Sequence, residues 1–374
     1  MSAPEELQRR FVAFAAACRG ASPLYAGLAE RTANDDAVTG LLAAAPPREQ
    51  RASLLFAAVH YLLLGGADHP LARYYPSVSK APASGDPTRL FVDFCSRHAD
   101  DLRAIMATRR AQPNEVGRSA VLLPALALAA ERFEAPITLV DVGAGAGFQL
   151  LFDRFRYSYP PFGAVGPEDS PVQLTCDARG IRPPLPDHPP EGVVDRVGID
   201  EHVLDVTDPD DARWVRACVW PDRPAAAALV DGAIKLAGES PPRLVSGHAL
   251  DTLPRVLEAQ GRNAPVCVST AATLAYFSDA ERHEFRESLR RFSADRRLVW
   301  LSFEGPRSSP VTDRALDRDD PAPASSGYLT LTDFRRRRTD LLALAGLHGN
   351  WLEWREESER PVRNRGGSAA LRVV

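Results

Sequence analysis

The stretch Ile137–Phe148, I-T-L-V-D-V-G-A-G-A-G-F, constrains the fold more than any other part of the chain. A β-branched, apolar run broken by one acid, Asp141, passes directly into Gly143, Gly145 and Gly147 at every second position. Glycine loses more backbone freedom on ordering than any other residue. Three of them at the mouth of a strand therefore mark a tight turn, or a place where something comes close to the backbone.

The texture of the sequence changes at this point. Up to about Glu134 it is rich in Ala, Leu and Arg, and apolar residues recur at three- and four-residue spacing. The spacing predicts helices at Glu5–Cys18, Arg48–Leu64 (ended by Gly65 and Gly66), Pro87–Arg109 and Ser119–Phe133. From Ile137 onward short apolar runs appear at Thr138–Val142, Val172–Thr175, Arg243–Ser246, Pro265–Ser269 and Arg297–Phe303. Helical patterns separate the later ones at Pro224–Ala237, Leu253–Ala259 and Asp279–Phe292. Strands alternating with helices imply a parallel sheet covered on both faces. Right-handed crossovers make it an α/β, Rossmann-like, doubly wound sheet. The expected organisation is an all-helical N-terminal region, residues 1–134, and a Rossmann-like domain, residues 135–374, with insertions at about 178–222 and 305–327. The proline-rich stretches Ile181–Gly192 and Gly305–Ser326 read as exposed connections within those insertions.

The chain carries a net charge of −4, which gives no general attraction for nucleic acid or an anionic membrane. A small-molecule substrate is the expected partner, with no nucleic acid and no membrane; a protein partner is left open. Five scattered cysteines, odd in number and without C-x-x-C, fit a reducing compartment and buried thiols. The N-terminus has no apolar signal core, and the most apolar run, Ala52–Leu64, is too short to span a bilayer. A cytoplasmic location is expected.

The glycine spacing separates ligand classes. A P-loop would need a Lys after the turn, and none follows. A dinucleotide fingerprint would need glycine at Phe148 or Leu150. What remains, D-x-G-x-G-x-G, resembles the first motif of class I S-adenosylmethionine-dependent methyltransferases. That resemblance implies a class I methyltransferase-like domain and S-adenosylmethionine as cofactor. It places Gly143, Ala144, Gly145 and Gly147 against the methionine part, with Asp141 orienting the turn or the amino group. It also implies an acid at the end of the next strand that takes both ribose hydroxyls. Asp177, after V-Q-L-T-C, is the candidate, and a turn-forming role is its other reading. Gly247-His248-Ala249 stands where the family often has G-D-A, which puts His248 and Ala249 near the adenine. Asp251 serves equally as a helix cap. Ser269 and Thr270 stand where the family faces the transferred methyl group, and Tyr276 nearby is a weaker candidate. The absence of D/N-P-P-[YF] there argues against methylation of nucleobase or amide nitrogens.

Val194–Asp222 is dense in groups that can hold a substrate. Asp200, His202 and Asp205 could supply a general base, or bind a metal through mixed ligands, although their spacing fits no standard metal motif and no metal is expected. Asp208 or Asp210 reads as the N-cap of a helix from Ala212. With the glycine stretch, this segment is similar to the bacterial family called domain of unknown function 2332, from the N-terminal helices to H-G-N-W-L-E-W at His348–Trp354. That family implies a methyltransferase-like fold without an established reaction. Arg335–Arg338 reads as a solvated helical run, and His348–Trp351 as a helix exit into an edge strand. The expected function is methyl transfer from S-adenosylmethionine to a small molecule. The alternatives are a non-catalytic binding or scaffold protein, or the same fold used for other chemistry.

Overall fold

The structure is a computed structural model and describes residues 3–187, 192–261, 264–310 and 325–355. The chain divides into two compact units, and each is discontinuous in sequence. One comprises Met1–Asn114 with Leu204–Ile234; the other comprises Glu115–Val203 with Lys235–Val374.

The first unit is helical. Its helices include Ala3–Cys18, Pro23–Thr32, Ala52–Leu64, Thr88–Arg97, Ala99–Thr108 and Pro209–Ala217. The pattern expected as one helix over Pro87–Arg109 breaks at His98, whose backbone (φ −107°, ψ 24°) leaves the helical region while its ring packs 4.4 Å from Phe94. Phe11, Tyr25, Phe56 and Phe91 fill the core, with Phe56 stacked on Phe91 at 5.0 Å and edge-on to Tyr25 at 4.8 Å. Part of the expected insertion belongs here. Asp208 caps Pro209–Ala217, its carboxylate accepting from Asp210 N and Asp211 N as the N-cap reading expects. Trp214 of that helix is fully buried and donates Nε1–H to Arg110 O at 2.9 Å. Asp222 accepts from Ser22 Oγ at 2.6 Å and Leu24 N at 3.1 Å, which ties the segment to the start of Pro23–Thr32.

The second unit is built on a large sheet. Its strands are β1 (Ile137–Val142), β2 (Arg156–Tyr159), β3 (Gly163–Val165), β4 (Gln173–Thr175), β5 (Asp177–Gly180), β6 (Val193–Asp200), β7 (Leu244–Ser246), β8 (Val266–Ala271), β9 (Leu298–Glu304), β10 (Ser326–Asp333), β11 (Arg338–Gly346) and β12 (Trp351–Trp354). Nine form one sheet in the order β5-β12-β11-β10-β9-β8-β1-β6-β7, and β3-β2-β4 form a small second one. From β7 to β9 all neighbours are parallel. β10, β11 and β12 then follow as an antiparallel meander, and β5 closes the far edge parallel to β12. The fold is mixed α/β with a large, mostly parallel central region. Every residue of β1 and β9 is buried, as expected of strands covered on both faces. Val140, Val197, Ile199 and Val268 pack with Leu253, Leu257, Phe285 and Leu289 from the helices Ala249–Ala259 and Asp279–Asp295.

Several expectations are corrected. The helix Ser119–Phe133 belongs to the sheet unit, so the division does not fall at residue 134. Val172–Thr175 supplies β4 of the small sheet. β6, which with β8 flanks β1 as a parallel neighbour, lies inside the stretch expected to be an insertion. Arg335–Arg337 form the turn between β10 and β11 rather than a helix, with Asp333 accepting from Arg335 N and Arg336 N, both at 3.0 Å. His348–Asn350 connect β11 to β12 and leave no helix. Of the proline-rich stretches, residues 188–191 and 311–324, including Pro321 and Pro323, lie outside the described residues. Among the described residues no helix is long and apolar enough to cross a membrane.

Candidate functional site

β1 runs into its glycine turn at the carboxyl end of the parallel strands. Gly143, Gly145 and Gly147 all have positive φ (84°, 55° and 74°), a conformation that a Cβ would strain and that glycine adopts freely. The turn folds back on β6: Gly143 N and Ala144 N donate to Ile199 O at 2.8 and 3.2 Å. Gly198 permits this approach, because a Cβ there would lie 2.6 Å from the Ala144 methyl group. Asp200, the last residue of β6, completes the clamp. Its carboxylate accepts from Gly145 N at 2.9 Å and from His202 N at 2.8 Å, with only 9% of the residue exposed.

Two of the glycines are accounted for by packing. A Cβ on Gly143 would fall 2.1 Å from Thr273 Oγ1, and one on Gly147 would meet Pro242 at 2.7 Å. The segment after the turn is a kinked 3-10 helix, Phe148–Arg154.

The strand order reverses between β1 and β8, since the chain builds β6 and β7 on one side of β1 before crossing to the other. Ligands in open α/β sheets bind at the carboxyl ends of strands beside such a point. Asp141 and Ser269 face each other across it in register, and Ser269 Oγ donates to Asp141 Oδ1 at 2.6 Å. Burial pushes the Asp141 carboxyl up to about 6; the Ser269 hydrogen bond opposes this shift and the charge of Asp200 adds to it. Glu304, at the end of β9, is fully buried and accepts from Thr273 N at 3.1 Å and Leu274 N at 3.2 Å. Burial pushes it up to about 7 against those two hydrogen bonds and the charge of Arg118. Arg118 lowers both carboxyls and donates to Leu347 O and Ala271 O. Sequence reasoning missed Glu304 and Arg118. The signal for Glu304 was the one that marked Asp141: a single acid closing an apolar strand.

The profile of a family described as uncharacterized protein conserved in bacteria (DUF2332) matches residues 8–354. The chain belongs to this family. No curated protein matches it.

The other expected site residues of this DUF2332 chain fall in different places. Asp177 is corrected: it opens β5 at the far edge, six strand positions from β1 and so about 29 Å away at normal spacing. Its carboxylate pairs with Arg179 at 2.8 Å instead. Ser269 and Thr270 point to opposite faces of β8, as adjacent strand residues must. Ser269 faces Asp141, whereas Thr270 is fully buried and accepts from Trp300 Nε1 at 3.2 Å. His248 caps the helix Ala249–Ala259 by accepting Leu250 N–H on Nδ1. In a neutral ring the proton is then on Nε2, which faces Glu201 at 3.5 Å and Glu281 at 3.7 Å. An N–H there cannot accept from an adenine amino group, so that expected contact fails for the neutral ring. Ala249 is buried as the first residue of the helix. Tyr276 is 55% exposed.

Asp205 lies in the helical unit, where hydrogen bonds from Thr207 Oγ1 and N hold its carboxyl below the usual range. Among the described residues no group of three His, Cys, Asp or Glu side chains is placed to hold a metal ion. All five cysteines are free thiols, and burial pushes Cys18, Cys176, Cys218 and Cys267 up to about 12, so none of these four is an activated nucleophile.

Proposed function

We propose that this protein binds S-adenosylmethionine at the carboxyl ends of β1, β6 and β8 and directs methyl transfer to a small-molecule acceptor. The reading takes the parallel run β7-β6-β1-β8-β9 as a Rossmann-like, class I methyltransferase-like core. Asp200 carries it. The acid that the methyltransferase resemblance assigns to the ribose hydroxyls belongs at the end of the strand beside the glycine strand, and Asp200 ends β6 there, bound to the middle glycine of the turn. Gly145 then borders the methionine part. When bound, the cofactor supplies a methyl group on a sulfonium centre. This chain's own contribution is alignment of the acceptor and, through Asp141 and Glu304, carboxyls that take up or release a proton near neutral pH.

The test is calorimetry with S-adenosylmethionine and S-adenosylhomocysteine. Both should bind, and Asp200→Asn should weaken them by about tenfold or more, equivalent to 1.4 kcal/mol. No heat and no thermal shift at millimolar cofactor rejects the reading.

One observation favours the alternative of a non-catalytic binding or scaffold protein. Gly143 N, Ala144 N, Gly145 N and Gly147 N all donate within the protein, so the turn is satisfied by its own chain. The same calorimetry separates the two, and binding without any turnover points to the scaffold or to other chemistry.

A further inference from the structure

A cavity of about 440 Å³ opens at the end of the sheet away from the glycine turn, where β9 begins and β10 ends. Its wall includes Arg132 and Phe133 from the end of the helix Ser119–Phe133, Arg297 just before β9, and Asp333, Arg335 and Arg336 at the β10–β11 turn. Four guanidinium groups against one carboxylate give this wall a net charge of +3, on a chain whose overall charge is −4. We infer that this cleft is a binding site for a small molecule bearing a dianionic phosphate group.

Three features distinguish it from a solvated basic face. First, the arginines come from three separate parts of the sequence and converge on one concavity, whose size is within the range of small-molecule sites. Second, their approach is held by other groups. Arg132 pairs at 3.0 Å with Asp340, whose side chain is only 2% exposed and also binds Arg338. Arg297 donates to Phe133 O and lies 5.3 Å over the Phe133 ring. The turn that presents Arg335 and Arg336 is fixed by the two backbone bonds to Asp333. Arg336 also pairs with Asp333 at 3.5 Å, and each of these anchors engages part of a guanidinium's five donors. Third, like charges held around one cavity repel one another, and a bound anion relieves that repulsion. Planar guanidinium forks match phosphate oxygens in pairs. A charge of +3 suits a dianion better than a single carboxylate.

The experiment uses the full chain, with inorganic phosphate and pyrophosphate as probes and potassium chloride at matched ionic strength as control. Calorimetry and thermal shift should show saturable binding of at least one probe, unmatched by chloride. The exposed-turn double variant Arg335→Ala/Arg336→Ala should keep its unliganded melting temperature and lose about tenfold or more in affinity. Arg297→Lys keeps the charge and removes the fork, and should also weaken binding. No saturable binding at millimolar probe overturns the proposal. So does binding that is equal in the wild type, the double variant and Arg297→Lys, because that is counter-ion association only. If a variant melts early, its affinity is taken from the folded fraction, and normal affinity there overturns the proposal as well.

Discussion

The carboxylate of Asp200 accepts the backbone N–H of Gly145 at 2.9 Å, fastening the end of β6 to the middle of the turn that leaves β1. Its other oxygen accepts His202 N at 2.8 Å. Removing a buried, charged acceptor leaves both donors unmatched. Asp200→Ala should lower stability by about 2–4 kcal/mol in urea unfolding, and Asp200→Asn, which keeps one acceptor oxygen, by less. Equal losses in the two variants would mean that the two N–H bonds are not what Asp200 contributes.

The glycines of the turn should differ in tolerance. Gly143→Ala drives a methyl group into Thr273, whose Oγ1 lies 2.1 Å from the new atom and donates to Val142 O. It should cost about 2–4 kcal/mol through overpacking and backbone strain. Gly145 has φ of 55°, in the left-handed region where alanine costs about 1–2 kcal/mol. Denaturant midpoints of the two variants give the order directly. A Gly145→Ala protein as damaged as Gly143→Ala contradicts it. In the cofactor reading, folded Gly145→Ala should also lose about tenfold in S-adenosylmethionine affinity.

Asp141 and Glu304 each contribute to the pH dependence of stability. Their carboxyls titrate at about 6 and about 7 in the fold, above ordinary values of 3.8 and 4.5. Between those limits the folded chain holds more protons than the unfolded one, so stability falls as pH rises. The loss from this pair is absent below about pH 4 and complete above about pH 7, with a slope of at most roughly 1.4 kcal/mol per pH unit for each group. Glu304→Gln should flatten the upper part of that fall while keeping an acceptor for Thr273 N and Leu274 N. Unfolding free energies between about pH 5 and pH 8 decide it; a variant with the wild-type slope excludes Glu304 as the source.

Asp222 should matter to the helical unit out of proportion to its place in a long connection. It receives both Ser22 Oγ and Leu24 N. Asp222→Ala should cost about 1–3 kcal/mol, since it strands a backbone donor and a buried hydroxyl. A change within about 0.5 kcal/mol would show that this tie is not needed.

The sequence made β1, its turn, β7, β8, β9 and most helices legible, because apolar runs and helical periodicity coincide there with strong stops. It hid β6. That strand contains Asp195 and Arg196 in its first half, which reads as a loop. In the structure Arg196 is accommodated by pairing with Asp153 and lying 4.6 Å over the Phe152 ring. With β6 hidden, the next apolar run points to Asp177 as the ribose acid, and Asp200 reads as a substrate group. Glu304 escapes notice because the apolar run ends at Phe303 and the acid stands just beyond it. Nothing local announces the turn at Arg335–Arg337 except Asp333, and the convergence of Arg132 and Arg297 on it is purely tertiary.

The chain leaves the sheet unit after Val203, completes the helical unit, and returns within the helix Pro224–Glu239. On a ribosome, which releases the chain from its N-terminus, the first helices must wait for Asp222 before their unit has all its pieces. β1 in turn must wait for β8 and β9 while the intervening segment is delivered elsewhere. Neither unit can be separated by a single cut, so a fragment ending at residue 134 would strand one helix and lack another with its buried Trp214. Synthesis order and assembly order are therefore uncoupled in this protein, and the exposed edges of a half-built sheet last as long as translation of the remaining strands takes.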